Sequence, residues 1–229
     1  MFSGFTDKTF EFLMGLSFNN SPEYFHSHHD EYDEYWRKPY FQLIDALSPT
    51  LSEIDNGIEI RPEKALAHIR RDTRFTKDKT PYRTHLWAAF RAGNMDKDGS
   101  IFFWVEFGLG EHNCWGLGTW NENKPLMEQM RRSIIAAPYE ALDLTASLEK
   151  AGFQYSGWNY KRMKYPPELK DELKPLYSSR SPGWIRNLSD RSMLFKPEIV
   201  DAVIADFKLL APAYHYLRGA YDAVPPAEE

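Results

Sequence analysis

Six cations, Arg70, Arg71, Arg74, Lys77, Lys79 and Arg83, and only two acids, Asp72 and Asp78, fall in the fifteen residues RRDTRFTKDKTPYRT from Arg70 to Thr84. Guanidinium groups present planar forks that match phosphate or carboxylate oxygens, and an ammonium adds a compact point charge. Pro81 biases Thr80 toward extended backbone and stiffens the run. Two unit charges about 4 Å apart interact by roughly 4 kcal/mol at an effective dielectric of 20. Cations this dense therefore need either acids of their own or a bound anion. In one reading Arg71, Arg74, Lys79 and Arg83 hold a phosphorylated or carboxylated small molecule, Asp72 and Asp78 orient the cations, and Tyr82 donates a hydroxyl. In another, Arg71, Asp72, Arg74 and Asp78 pair among themselves and only pin a long loop. A third leaves the loop merely solvated.

Asp72, Asp78 and Glu106 are the weak candidates for acid–base chemistry. The cations around the first two favour the carboxylate form and work against an acid role. Glu106, in FFWVEFG on the strand face shared with Phe102 and Trp104, could gain proton affinity among aromatics. The rarity of buried unpaired acids favours the plainer reading, an exposed-face residue beside a cation. His85 and His112 could also act in catalysis, although a lone strand histidine is more often structural or surface-exposed. In HSHHDEYDEYW, His26 and His29 are three apart and His29 and Asp33 four apart, both facing distances on a helix, and such groups suit zinc. Nothing nearby completes a ligand set, so no metal is expected there or elsewhere. No cofactor can be named: the glycines Gly108, Gly110, Gly116 and Gly118 lack the strand, loop and helix of a dinucleotide fingerprint, and phosphate-loop, G-x-S-x-G and H-E-x-x-H patterns are absent. Trp115 and Trp120 offer stacking platforms, against the commoner use of aromatics in a core.

The elements that must position these groups can be read from periodicity. Phe5, Thr9, Phe12, Leu13 and Leu16 share a helical face. Ser21, Pro22 and Glu23 form a helix start, for a helix expected to run to about Lys38, and Pro39 starts another through Leu51. IDNGIEI bends the chain into extended structure. Ala65 to Arg70, then His85 to Phe90, IFFWVEFG and CWGLGTW, read as strands, with a hairpin turn at Asn94–Gly99. A helix follows over Leu126, Met130, Ile134 and Ile135, then a second to Lys150 with Gly152 as terminator. FQYSGWNYKRM reads as a further strand, and Pro166 and Pro167 open a short helix. Ile199, Val203, Phe207 and Leu210 make a last stripe, interrupted by Pro212, as two helices or one kinked helix. Helices, then strands, then helices predict an α+β fold, an antiparallel sheet flanked by amino- and carboxy-terminal helices. A single domain over 1–224 and a frayed tail at 225–229 are expected.

Composition bounds the rest. A 42% hydrophobic fraction in 229 residues is enough to build a core. Net charge is −5, but Arg70 to Arg91 holds seven cations and two acids, leaving 21 cations and 31 acids, −10, elsewhere. That balance disfavours nucleic acid, which is met by a broad basic stripe, and leaves a small anionic ligand or a protein partner. Cys114 stands alone, so no internal disulfide forms and a reducing compartment fits. The first residues do not read as a signal peptide, and no apolar run approaches the roughly 20 residues of a membrane helix. A cytoplasmic protein with no membrane contact is expected.

Arg71, Asp72, Arg74, Phe75, Asp78, Lys79, Pro81 and Tyr82 form an RD-x-RF-x-x-DK-x-PY string. With FL-x-x-L-x-x-NN over Phe12 to Asn20, Tyr24 and Phe25 beyond it, and Lys124, Pro125, Leu126 and Arg131 after the Gly-rich strand, the chain resembles the domain of unknown function 2461 family. That family has no assigned activity, so the resemblance implies no reaction. From the residues themselves the expectation is an uncharacterised protein, possible as an enzyme, that binds a small anion at loop 70–83; the alternative is a non-catalytic module that docks a protein or nucleic-acid partner through the same loop.

Overall fold

Pro39 decides how the amino-terminal helices are laid out. The computed structural model, which describes residues 1–93, 95 and 99–225, begins with α1 (Asp7–Phe18), α2 (Pro22–Ser27) and α3 (His29–Tyr32), then a π-helical turn (Asp33–Arg37) that runs into α4 (Lys38–Ile54). Ser21 caps α2, its hydroxyl accepting from the Tyr24 amide at 3.2 Å, with Pro22 in the first position as expected. The helix expected from Pro22 to about Lys38 is instead broken. Pro39 has no amide hydrogen to give the Tyr35 carbonyl, and that carbonyl is satisfied by the Thr9 hydroxyl at 2.6 Å. The wide turn at Asp33–Arg37 lets α1 dock there, with Thr9, Phe12, Leu13 and Leu16 all buried.

After α5 (Pro62–Ala65) the sheet strands begin: β1 (His85–Arg91), β2 (Ile101–Gly108) and β3 (Asn113–Thr119). Helices α6 (Lys124–Ala136) and α7 (Pro138–Lys150) follow, then β4 (Gln154–Tyr155), β5 (Trp158–Asn159), α8 (Lys174–Tyr177), β6 (Ser179–Ser181), β7 (Gly183–Asn187) and the long α9 (Ile199–Asp222). The five-stranded antiparallel sheet has the order β1-β2-β3-β7-β4, and β5 pairs with β6. The fold is α+β, as the grouping of elements predicts.

Three local expectations need correction, and one open alternative is decided. Ala65 to Arg70 is not a regular strand; it makes two isolated antiparallel bridges, Leu66 with Ala88 and Arg70 with Tyr82. Three residues separate Leu66 from Arg70 while five separate Tyr82 from Ala88, so two extra residues bulge out on the Arg83–Trp87 side. Pro166 and Pro167 lie in a loop and turn, and helix starts only at a 3-10 turn, Asp171–Leu173. FQYSGWNYKRM forms two strands of two residues each. The carboxy-terminal stripe is one helix that carries Pro212 inside it. The turn expected at Asn94–Gly99 and the tail at 225–229 lie largely outside the described residues.

By contacts the chain forms two compact units, neither of them a continuous stretch. The first comprises Met1–Phe90, Trp104–Trp115 and Asn187–Ala205; the second comprises Arg91–Phe103, Gly116–Arg186 and Asp206–Glu229. Phe5, Trp36 and Tyr40 meet at ring-centre distances of 5.0 to 5.7 Å in the core of the first. In the second, Phe103 packs on Phe207 and Tyr214, and Arg186 forks onto Asp206 while donating to the Ala151 carbonyl at 2.7 Å. No described helix is long and apolar enough to cross a membrane.

Candidate functional site

Tyr40 fixes the two strands that carry the site. From α4 its buried hydroxyl donates to the Leu86 carbonyl at 2.7 Å and accepts from the Phe107 amide at 3.1 Å. These are the residues next to His85 on β1 and Glu106 on β2, so one side chain holds both backbones behind both functional groups. Gly108 lets the strands close: a methyl there would meet the Cα and Cβ of His85 at 2.5 Å. Asn113 shapes the turn after β2, its side chain accepting from the Gly108 amide at 3.3 Å and donating to the Gly110 carbonyl at 3.2 Å. That turn presents His112.

The three side chains converge. His112 Nδ1 lies 2.8 Å from Glu106 Oε1, and His85 Nε2 lies 3.6 Å from the same oxygen. The two imidazoles stack with centres 4.0 Å apart, 17° from parallel. Burial, followed by the charges of His112, Arg83 and Arg71, lowers the His85 pKa to about 4, so it is neutral at pH 7. Burial, with the Glu106 charge second, pushes the Cys114 thiol up to about 12 and removes it as a thiolate nucleophile. Among the described residues His85, Glu106 and His112 are the group whose ligand atoms, all within 4.8 Å of one another, could hold a metal. The histidine-rich run forms no such group: His28 stacks on Tyr24, and His29 lies 3.6 Å from Asp33 on an exposed helix face.

The basic loop leads directly into this site. Asn20 anchors its exit, donating to the Tyr82 carbonyl and accepting from the Tyr82 amide, both at 2.9 Å, as a neighbouring strand would. Tyr82 itself is buried, its ring stacked on Phe25 at 4.3 Å. Within the loop Arg71 pairs with Asp78 and donates to the Thr80 carbonyl at 3.2 Å. Arg74 forks onto Asp72 at 2.7 and 3.0 Å, and Lys79 donates to the Thr73 carbonyl at 2.8 Å. Asp72 is held down to about 2 by the Arg74 hydrogen bonds, and Asp78 lies well below the carboxylate range through hydrogen bonds from Thr80 and Arg71. Both are carboxylates at neutral pH.

Arg83 stands apart from the exposed pairs. It gives Nη1 to the carbonyls of His68 and Arg70 at 2.7 and 2.9 Å, and burial followed by the charge of Arg71 lowers its pKa. Arg71 and Arg83 each keep Nε and Nη2 without a hydrogen-bond partner among the described residues, whereas the Arg74 fork is spent on Asp72. Of the expected ligand groups, Arg71 and Arg83 are the two whose charges act on His85, while Arg74 and Lys79 close the loop on itself. In the sequence His85, Glu106 and His112 stand as separate candidates. Only the fold brings them together, although an acid and two histidines bracketing one glycine turn are a signal that could be sought.

No curated protein matches the chain. The family model described as Conserved hypothetical protein (DUF2461) matches residues 8–216, a span that holds the whole site from Asn20 to His112, and the chain belongs to that family.

Proposed function

We propose that the protein binds a small phosphorylated or carboxylated molecule where the basic loop meets β1 and β2. Arg71 and Arg83 hold the anion through Nε and Nη2, Asp78 fixes Arg71, and Asp72 with Arg74 and Lys79 braces the loop. Tyr82 contributes its packing on Phe25 rather than a hydroxyl to the ligand. The observation that carries this reading is geometric: Arg71 and Arg83 keep donors that nothing in the described residues uses, and an anion there would also offset the charge of Arg71, which after burial disfavours that of Arg83. A reaction type is not assigned. The test is a thermal-shift screen of inorganic phosphate, phosphomonoesters and carboxylates against wild type and Arg83→Gln. Saturable stabilisation, reaching about 2.7 kcal/mol at a hundredfold excess over Kd, is expected in wild type and lost in the variant. If no small anion moves wild type, the reading is wrong.

One observation favours a second reading. Phe75 is 90% exposed at the loop tip, with the Arg74 guanidinium 5.5 Å from its ring centre. An exposed aromatic among cations suits docking onto a protein or nucleic-acid partner through the outer side of the same loop. Partner binding that depends on Phe75 and is insensitive to Arg83→Gln would select this reading.

A further inference from the structure

We propose that His85, Glu106 and His112 form a binding site for one divalent first-row transition-metal ion of the zinc type. The sequence gives no expectation of a metal, because the three residues come from two strands and a turn and meet only in the fold. Their donor atoms are a matched set: two imidazole nitrogens and a carboxylate oxygen, the combination that borderline ions prefer. Around a tetrahedral ion with bonds of about 2.0–2.1 Å, neighbouring ligand atoms stand about 3.3 Å apart. Here they stand at 2.8 and 3.6 Å from the shared oxygen, and all lie within 4.8 Å of one another. Side-chain movements of about 1 Å would seat such an ion at those bond lengths.

Two further observations point the same way. The backbones that carry His85 and Glu106 are fixed independently of any ion, by Tyr40 across Leu86 and Phe107 and by the close approach of Gly108 to His85. Metal binding would not have to supply the cost of ordering them. The His85 ring, moreover, makes no hydrogen bond among the described residues: its Nε2 faces Glu106 Oε1 at 3.6 Å, beyond hydrogen-bonding reach. A partly buried imidazole aimed at a carboxylate and stopping short of it is poorly explained as a hydrogen-bonded pair and well explained as one ligand of an ion.

Three protein ligands leave coordination positions open, the pattern of sites that bind water or substrate rather than of purely structural ones. Arg71 and Arg83 oppose a lone dication and favour one that arrives with an anion. The inference therefore adjoins the anion reading without depending on it: phosphate should strengthen metal binding, and by reciprocity metal should strengthen phosphate binding.

The experiment titrates Zn2+ alone into chelator-treated protein in phosphate-free buffer, by calorimetry, with Co2+ absorption as the report on coordination. One equivalent should bind, and His112→Ala and His85→Ala should each weaken it at least tenfold. His112 is 49% exposed in its side chain, so His112→Ala keeps the fold and the test stands even if His85→Ala does not fold. A His26→Ala/His29→Ala variant should bind as wild type does, and Arg83→Gln should keep metal binding while losing its response to phosphate, which separates failure of this inference from failure of the anion reading. No binding by wild type, or equal affinity in His112→Ala, overturns the metal site.

Discussion

Removing one oxygen atom, by Tyr40→Phe, should destabilise the protein by about 2–4 kcal/mol. The Tyr40 side chain has no exposed surface, and its hydroxyl closely serves two backbone groups, the Leu86 carbonyl at 2.7 Å and the Phe107 amide at 3.1 Å, with the Val105 carbonyl farther off at 3.5 Å. Phenylalanine keeps the ring packing against Phe5 and Trp36, so the cost is that of two deprived polar groups. Each buried group left unpaired costs about 1–3 kcal/mol; the amide, with a single hydrogen, bears most of it, and the carbonyl, with two lone pairs, re-pairs more easily. Tyr35→Phe is the control, since among the described residues its hydroxyl meets only Lys8, at 3.3 Å on the surface, and it should stay within about 0.5 kcal/mol of wild type. Urea denaturation followed by tryptophan fluorescence reads both, and amide exchange at Phe107 should quicken only in Tyr40→Phe. Equal stabilities for the two variants would refute the clamp and, with it, the account of how His85 and Glu106 are positioned.

Gly108→Ala should cost about 1–3 kcal/mol by forcing β1 away at His85, read by the same denaturation; an unchanged midpoint would show that the strand yields freely. In metal-free protein His85 takes up its proton near pH 4 when folded but near 6.5 when unfolded. The unfolded state then binds more protons between those values, so stability falls as pH drops from about 6.5 toward 4, by up to about 1.4 kcal/mol per unit, and His85→Gln should flatten that part of the profile. Arg74→Met should leave the denaturation midpoint where it is, because both Arg74 and Asp72 are largely exposed, 77% and 55% of their side chains; a shift comparable to that of Tyr40→Phe would show the loop network to be a main source of stability.

What could be read from the chain was whatever local chemistry decides. Ser21 with Pro22 marks a helix start, Gly152 ends α7 at a φ of +89°, and IFFWVEFG forms β2 over the expected residues. That Arg74 could meet an acid of its own loop was one open reading of the chain; that the acid is Asp72 and not Asp78 is seen only in the fold. Distant partners were not legible. Nothing near Pro39 announces that Thr9 will take the carbonyl the proline frees, and without that contact the π-helical turn cannot be foreseen. β7 was missed because SPGWIRN opens on proline and glycine and shows no strand alternation. It enters the sheet because Gly118 and Gly183 let the backbones approach, where a methyl on Gly118 would meet the Pro182 carbonyl oxygen at 2.6 Å. The meeting of His85, Glu106 and His112 belongs to the same class, since it depends on strand placement set by Tyr40 and Gly108.

The most direct test of the anion reading is long-range nitrogen–proton NMR of the His85 imidazole during titration with inorganic phosphate in metal-free protein. His85 feels the charges of Arg71 and Arg83, so an anion held between those two guanidinium groups must shift its ring nitrogens. The predicted result is a saturable shift in wild type that persists in Arg74→Met and vanishes in Arg83→Gln. A His85 signal that ignores phosphate, or a shift that survives Arg83→Gln undiminished, would contradict the assignment.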